Sequence, residues 1–389
     1  MSTVKSFLPG QWLGILGGGQ LARMFCHVAQ RMGYKVAVLD PDRFSPAGAV
    51  ADKQICADYD DQTALQQLAK LCVAITTEFE NVPAQSLDFL AQQVRVTPSG
   101  SAVAVVQDRI IEKQFITKAG VPVVPYIAVR SAADLDAASD ALFPAILKAA
   151  RFGYDGKGQA RVQTKEQALE AFTELGEVDC VLEALQSLED EISVVVARGL
   201  DGETVIYTPS HNQHRDGILA VSTAADPMQL SAFHEKAQQA AVAIAEALDY
   251  YGVLCVEFFV LDDGILLANE VAPRPHNSGH FTIEACLSSQ YEQQVRVMAG
   301  LPLGSSQIAQ ASVMLNLLGD LWFDETEQYR EPDWEQLLAV PGVYLHLYGK
   351  AEARPARKMG HVTVVGKDHK ECQHRAKMAA AALGLVWYG

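Results

Sequence analysis

Residues 253–280 read VLCVEFFVLDDGILLANEVAPRPHNSGH, and the reading of this stretch decides the fold. Two runs rich in β-branched and aromatic residues, 253–261 and 265–271, flank Asp263-Gly264, a dipeptide that favours a type I′ turn, so a β-hairpin is predicted. With a two-residue loop between Asp262 and Ile265, Glu257 falls opposite Glu270 with both side chains on one face. At ~5 Å and an effective dielectric of about 20, two bare carboxylates repel by roughly 3 kcal/mol and call for a proton, a basic partner or a divalent cation. Magnesium suits the pair, because it takes one or two carboxylates and leaves its other positions to water and phosphates. A solvated hairpin face is the plainer reading, but Val256, Phe258, Phe259, Leu266 and Leu267 make both faces apolar, as in a buried strand. Arg274, His276, Asn277 and His280 follow at once, in a loop held by Pro273, Pro275 and Gly279 and rich in groups that bind anions.

Working outward, the 389 residues suffice for two or three domains. The net charge of −16 disfavours nucleic acid or an anionic membrane as partner. There is no apolar run of transmembrane length and no signal-peptide pattern at the N-terminus, so the expected location is the cytoplasm. The seven cysteines include no C-x-x-C pair, which predicts free thiols and no zinc site.

Towards the N-terminus, a strand at 12–16 runs into Gly17-Gly18-Gly19, a helix at 20–32 and a second strand at 35–39 ending in Asp40. Gly17-x-Gly19-x-x-Ala22 with an acid about twenty residues on matches the dinucleotide fingerprint. The same turn could serve any phosphate, or merely pack helix on strand. Glu78, Glu80 and Asn81 end the strand at 73–77, at the edge where such sheets bind ligands, with helix capping an equal reading for Asn81. A helix over 107–119 leads to a strand at 145–148 and the loop RFGYDGKGQ, 151–159. Its glycines and its cations Arg151 and Lys157 suit a flap over a polyphosphate, with Lys148 reaching in from the strand; a basic surface hairpin is the alternative. Residues 181–186 and a strand at 192–197 frame a connector of the kind that binds adenine through its backbone, with a nearby acid such as Glu191 for a ribose; a plain hairpin reads the same way. His211, Asn212, His214, Arg215 and Asp216 read as a polar loop, and 237–248 as a helix. Further on, Lys350, Arg354, Arg357, Lys358 and His361 cluster between strands at 344–347 and 361–365 as a candidate phosphate site, before a helix at 372–383.

The ordered set GILGGGQLARM, TTEFENVP, QDR, ILKAARFGYDGKGQ, VLEALQSLEDEIS, SHNQHRDGIL, VEFF, NEVAPRPHNSGH and YGKAEARPARKMGH closely resembles the ATP-grasp enzymes that make 5-(carboxyamino)imidazole ribonucleotide in purine biosynthesis. The resemblance spans nearly the whole chain, and APRPHNSGH and RKMGH are its most specific parts. It implies an α/β (α+β) ATP-grasp fold. The expected parts are an N-terminal Rossmann-like pre-ATP-grasp domain (1–105), a central ATP-grasp domain (106–305) with a mobile lid (about 125–187), and a small β-rich C-terminal domain (306–389). It implies a carbon–nitrogen ligase that uses ATP, Mg2+ and bicarbonate to carboxylate 5-aminoimidazole ribonucleotide through carboxyphosphate. Carried over by position, Arg109, Lys148 and the loop Gly153, Tyr154, Asp155, Gly156, Lys157, Gly158 and Gln159 would hold the ATP phosphates. Glu183, Ala184, Leu185 and Gln186 would take adenine and Glu191 the ribose. His214 lies in the nucleotide's surroundings, and Asn269 and Glu270 complete the ATP site. Glu257 and Glu270 would bind the metal. Arg274, His276 and Asn277 would position bicarbonate, with Arg151 and Asp155 also catalytic. Gln20, Glu78 and Tyr154 would face the ribonucleotide, and Lys350, Arg357 and Lys358 its phosphate. Two departures stand out: Ala22 replaces an expected glycine, and Ala272 stands where many ATP-grasp enzymes carry an asparagine metal ligand. The resemblance suggests a homodimer and leaves open a hand-over of product to the next mutase. The weighed alternatives are a sibling ligase (formate-dependent ribonucleotide transformylase or biotin carboxylase type), an NAD-dependent oxidoreductase and a non-catalytic nucleotide-binding module.

Overall fold

A computed structural model describes residues 5–151, 153, 158–262 and 264–387. The first sheet is parallel, with strands β1 (Trp12–Leu16), β2 (Lys35–Leu39), β3 (Lys53–Ile55), β4 (Ala74–Thr77) and β5 (Arg95–Val96) in the order β3-β2-β1-β4-β5. Helices α1 (Gln20–Arg31), α2 (Gln62–Leu71) and α3 (Ala84–Ala91) cover it. Strand order reverses between β1 and β4, so the loops after β1, β2 and β4 meet at one crevice, as the Rossmann-like reading requires. Asn81 does not cap α3, whose N-cap is Pro83 without a side-chain bond.

After α4 (Gly100–Val106), the helix expected over 107–119 is α5 (Arg109–Lys118). Asp108 sets its start: its backbone is extended and its side chain accepts from Ile110 N and Ile111 N, which makes it the N-cap of α5.

The second sheet is antiparallel: β6 (Tyr126–Val129), β7 (Ala145–Ala149), β8 (Gln159–Val162) and β9 (Cys180–Ala184) in the order β6-β9-β7-β8. Together with α6 (Ala132–Asp136) and α7 (Lys165–Glu174) it buries its own core around Val129, Leu147, Phe172 and Leu182. It shares no strand with the other sheets. The glycine-rich loop joins β7 to β8; within it Tyr154, Asp155, Gly156 and Lys157 lie outside the described residues.

The third sheet has nine strands: β10 (Leu188–Arg198), β11 (Thr204–Ile206), β12 (Ser210–Arg215), β13 (Ile218–Ala224), β14 (Gly252–Leu261), β15 (Leu266–Ala272), β16 (Ala311–Leu318), β17 (Val343–Leu347) and β18 (Lys358–Gly366). Its order is β15-β14-β10-β12-β13-β16-β18-β17, with β11 on β10. The C-terminal strands therefore extend the central sheet through the β13–β16 ladder (Val221 opposite Leu315). Helix α8 (Ala232–Ala247) lays Ala237, Ala241 and Ile244 on Val194, Val256 and Phe258. After α9 (Thr282–Ala285), helix α10 (Gln290–Ala299) buries Tyr291, Val295 and Met298 in the core of the first sheet, beside Leu21 and Phe25 of α1. At about 1.5–3 kcal/mol per large apolar side chain, that contact firmly fixes the first sheet to the third. Helices α11 (Trp334–Leu338) and α12 (His369–Ala382) close the C-terminal end.

The polar segment at 210–215 is a strand and not a loop. Its polar side chains are used on both faces, Asn212 bonding to Ser193 and Ser222 on one and His211 reaching Asp190 on the other. Nothing in its composition carries the usual apolar alternation. The basic segment is also redrawn, because Lys358 opens β18 and so belongs to the strand instead of the turn.

In the central hairpin, Glu257 does face Glu270, by a route other than the expected one. Leu261 N donates to Ile265 O, so three residues, not two, separate the strands at the turn; Gly264 there has φ +75°, and Asp263 lies outside the described residues. Phe258, Phe259 and Val260 pair with Ala268, Leu267 and Leu266, one position off the expected register. A β-bulge at Asn269 restores it, and Val256 meets Val271 as Glu257 meets Glu270.

Candidate active site

The acidic pair sits at the meeting point of α5, the hairpin and the loop after β15. On the α5 side, Arg109 stands one turn before the neighbours Glu112 and Lys113, and all three reach across to other elements. Arg109 Nη1 donates to Glu270 Oε2 at 3.0 Å, Glu112 accepts from Val271 N at 2.7 Å, and Lys113 Nζ lies 3.0 Å from Glu183 Oε1. Lys148 Nζ bonds the other oxygen of Glu183 at 2.7 Å. Glu183 is almost fully buried; burial alone would raise its pKa, but Lys148 and Lys113 hold it below the usual carboxylate value. Its side chain is thus committed to two lysines and anchors Lys148. Next to it, Ala184 N and Leu185 N donate to Pro125 O and Pro144 O, and Gln186 Nε2 donates to Ala184 O.

The two facing carboxylates are held differently. Burial and the neighbouring Glu270 push Glu257 up to about 7. Burial would raise Glu270 too, but Arg109, chiefly, keeps it below its ordinary value. Glu112 is pushed up to about 8 by burial, against the pull of Arg109. His276 Nε2 lies 3.3 Å from Glu257 Oε1, while its Nδ1 accepts from Ser278 N, so the ring carries its proton on Nε2. Burial, then Arg274 and Lys358, keep that imidazole neutral, well below the ordinary histidine pKa. The Gln290 amide bonds both His276 N and His276 O and fixes the loop.

Arg274 places Nε and Nη2 on Glu80 Oε2 at 3.1 and 2.7 Å. Glu80 in turn is tied to the α4–α5 junction, where Gln107 Nε2 donates to Glu80 O and Val82 O. Asn277 is buried and its Nδ2 has no hydrogen-bond partner among the described residues. His214 Nδ1 lies 2.9 Å from Glu191 Oε2; burial would lower its pKa, but Glu191 and Glu257 raise it. Lys358 acts on Glu257, His214 and His276 alike, which puts the start of β18 beside the acidic pair. Lys350 Nζ donates to Lys358 O at 2.7 Å, and Arg357 Nη1 to Glu352 O at 2.9 Å. Arg151 lies on the outer side, 3.7 Å from Asp108.

The glycine turn is not the open dinucleotide cradle that its spacing suggested. Gly18 N donates to Asp40 Oδ2 at 2.6 Å and Gly19 N to Glu78 Oε1 at 2.7 Å, so the protein's own carboxylates fill the anion positions. A Cβ on Gly19 would lie 2.6 Å from Glu78 Oε1, which explains the glycine. Glu78, its pKa raised by burial, lies near the Arg274 that pairs with Glu80, and Gln20 is the first residue of α1.

The fit to magnesium is good in its donor chemistry. Two opposed carboxylates form one pole, and among the described residues no group of three or more His, Cys, Asp or Glu is arranged to hold a metal by itself. A cation there would take its remaining ligands from water and phosphate, as Mg2+ does. Sequence reasoning missed Glu112 and Lys113, which read as an ordinary charged helix surface. Their phase was the available signal, since they share a face with the buried Ile116.

Three family models match in succession: a ribonucleotide synthetase preATP-grasp domain over residues 11–107, an ATP-grasp domain over 114–291, and a phosphoribosylaminoimidazole carboxylase C-terminal domain over 312–375. With the lid sheet, the paired hairpin carboxylates and Lys148, these make the chain an ATP-grasp ligase. The N5-carboxyaminoimidazole ribonucleotide synthase of Brucella melitensis is 45% identical over 364 residues, 92% of this chain and 97% of that protein. The crystal structure of the Staphylococcus aureus N5-carboxyaminoimidazole synthetase complexed with ADP superposes with a TM-score of 0.88 at 37% identity, covering 98% of this chain and 99% of that one. The Aspergillus clavatus synthase in complex with ADP and 5-aminoimidazole ribonucleotide gives 0.85 at 31%, covering 96% and 98%. The chain belongs to the N5-carboxyaminoimidazole ribonucleotide synthase family.

Proposed function

We propose that this protein carries out the ATP-dependent carboxylation of 5-aminoimidazole ribonucleotide by bicarbonate, giving N5-carboxyaminoimidazole ribonucleotide, ADP and phosphate for purine biosynthesis. The observation that carries the reading is the convergence of the Glu257–Glu270 pair, the Arg274–Glu80 pair and the unpartnered Asn277 amide at one end of the hairpin. In the first step a bicarbonate oxygen attacks the γ-phosphorus and ADP leaves, forming carboxyphosphate. In the second the exocyclic amine attacks the carboxyl carbon, the C–O bond to phosphate breaks and the nitrogen loses a proton.

Bound magnesium would supply charge neutralisation at the transferring phosphoryl oxygens, held by Glu257 and Glu270. Lys148, oriented by Glu183, meets the phosphates, and Arg109 shares the Glu270 carboxylate from the opposite side. Arg274, held rigid by Glu80, and the Asn277 Nδ2 donor suit a planar carboxylate such as bicarbonate. Neutral His276, donating through Nε2, steadies Glu257 without bringing another positive charge to the anion. The adenine role of residues 183–186, the ribose role of Glu191, and the substrate roles of Gln20, Glu78, Lys350, Arg357 and Lys358 belong to the same proposal. So do the roles of Asn269 beside the pair, of Gly153, Gly158 and Gln159 in the lid, and of Arg151. A homodimer, a hand-over of product to a mutase and a cytoplasmic location are parts of it too. Among the described residues no helix is long and apolar enough to cross a membrane.

The test is ADP release with Mg2+, ATP and bicarbonate, with and without 5-aminoimidazole ribonucleotide, alongside Glu270→Ala. Release that requires the ribonucleotide and is lost in the variant supports the assignment. Release indifferent to the ribonucleotide, with formate or biotin acting instead, refutes it.

A further inference from the structure

We propose that Asp190 and His211 are positioning residues for Glu191, setting how tightly the enzyme grips the ribose of ATP; the inference rests on the ribose reading of Glu191 given above. Strands β10 and β12 pair only at Ile192–His211 and Ser193–Ser210. Beyond that point the ladder has ended, and a bulge follows on the other side of β10, between Leu188 and Asp190. Two adjacent acids lie there, facing opposite sides of the strand. Each is clasped by a histidine of β12, Glu191 by His214 and Asp190 by His211.

The Asp190 clasp continues into a chain whose direction is set by one backbone group. Ser231 N, at the start of α8, donates to His234 Nδ1 at 3.0 Å, so the proton of His234 sits on Nε2. That Nε2 lies 3.2 Å from His211 Nε2, which must accept, and His211 therefore donates through Nδ1 to Asp190 Oδ2. The two ring planes are perpendicular, a twist about the N–H···N axis that such a bond permits. The other oxygen of Asp190 accepts from Glu191 N at 2.9 Å. An amide on α8 thus orients, through two imidazoles and a carboxylate, the residue expected to take the ribose hydroxyls. The cluster lies on the α8 face of the sheet, opposite Glu257, and has no part in the phosphoryl chemistry.

The test compares ATP with 2′,3′-dideoxy-ATP, which lacks the hydroxyls Glu191 would bind, in the full-length enzyme with Mg2+, bicarbonate and 5-aminoimidazole ribonucleotide. His211→Phe removes the donor to Asp190; His211→Asn keeps an amide N–H where Nδ1 stood. The expected result is that His211→Phe raises KM for ATP about tenfold, the scale of one hydrogen bond to a charged group, with kcat within about threefold. Its KM for the dideoxy analogue stays near the wild-type value, and His211→Asn recovers most of the selectivity. The ratio of the two KM values is internal to each preparation, so partial unfolding does not mimic it. Equal rises for both nucleotides, or an unchanged ratio in His211→Phe while Glu191→Gln abolishes it, overturn the positioning role alone. A wild-type enzyme that does not discriminate between the nucleotides overturns the ribose reading and this inference with it.

Discussion

Replacing Lys113 by methionine should destabilise the protein by about 3 kcal/mol, because breaking a buried ion pair leaves a charge without its partner and typically costs ~3–5 kcal/mol. Lys113 and Glu183 side chains are 2% and 3% exposed and 3.0 Å apart, so little solvent screening reduces the effect. The lower end of the range applies because Glu183 keeps Lys148 at 2.7 Å. Methionine fills the space of the lysine stem, so the loss is electrostatic and no cavity is made. The pH dependence follows from the direction of the shift. Glu183 is held below its ordinary value, so the stability it provides is present above that value and is lost as pH falls through the folded one. The gap between wild type and Lys113→Met should therefore be full at pH 7 and close in acid. Urea unfolding followed by far-UV ellipticity from pH 3.5 to 7, with Glu183→Gln and the double variant completing a cycle, measures it. A loss below about 1 kcal/mol at pH 7, or two single effects that simply add, would refute the assignment of a coupled buried pair.

Three more outcomes are expected. Glu257, pushed up from 4.5 to about 7, binds a proton more readily folded than unfolded. The metal-free protein should thus lose about 2 kcal/mol through this group between pH 5.5 and 8, a loss absent in Glu257→Gln and offset in wild type by Mg2+ at pH 8; parallel melting curves for the two proteins would contradict it. Arg274→Lys, which cannot place two donors on Glu80, should lower kcat about a hundredfold with a thermal midpoint shift of only a few degrees, read by ADP release and calorimetry. Gly19→Ala puts a methyl 2.6 Å from Glu78 Oε1 and should destabilise by about 1–3 kcal/mol while weakening the ribonucleotide KM, which steady-state kinetics on folded variant would detect.

Strands β1, β2, β4 and β14 were legible because their apolar runs end at glycines or acids, and helices α1 and α8 because their apolar residues recur along one face. Strand β12 was not, since its ordering comes from polar contacts on both faces that composition does not encode. The facing of Glu257 and Glu270 was legible although the turn assumed for it was not: the third turn residue and the bulge at Asn269 cancel. The glycine spacing was read correctly as a strand–turn–helix and only partly as a site, because a spacing does not tell whether the amides face a ligand or, as here, Asp40 and Glu78. Glu112 and Lys113 were passed over despite sharing a face with Ile116, since a charged pair on a helix normally faces water; their partners are on β9 and β15.

That cancellation in the hairpin frees its length from its chemistry. Pairing Asp262 with Ile265 in the turn while straightening the strand at Asn269 would return the hairpin to a plain two-residue loop and still set Glu257 against Glu270. Either change alone would rotate Glu270 to the opposite side of the sheet. A residue deleted from the tip, by contrast, can be absorbed by the turn itself, because a two-residue loop closing on Leu261 and Ile265 leaves the pairs below it and the bulge as they are.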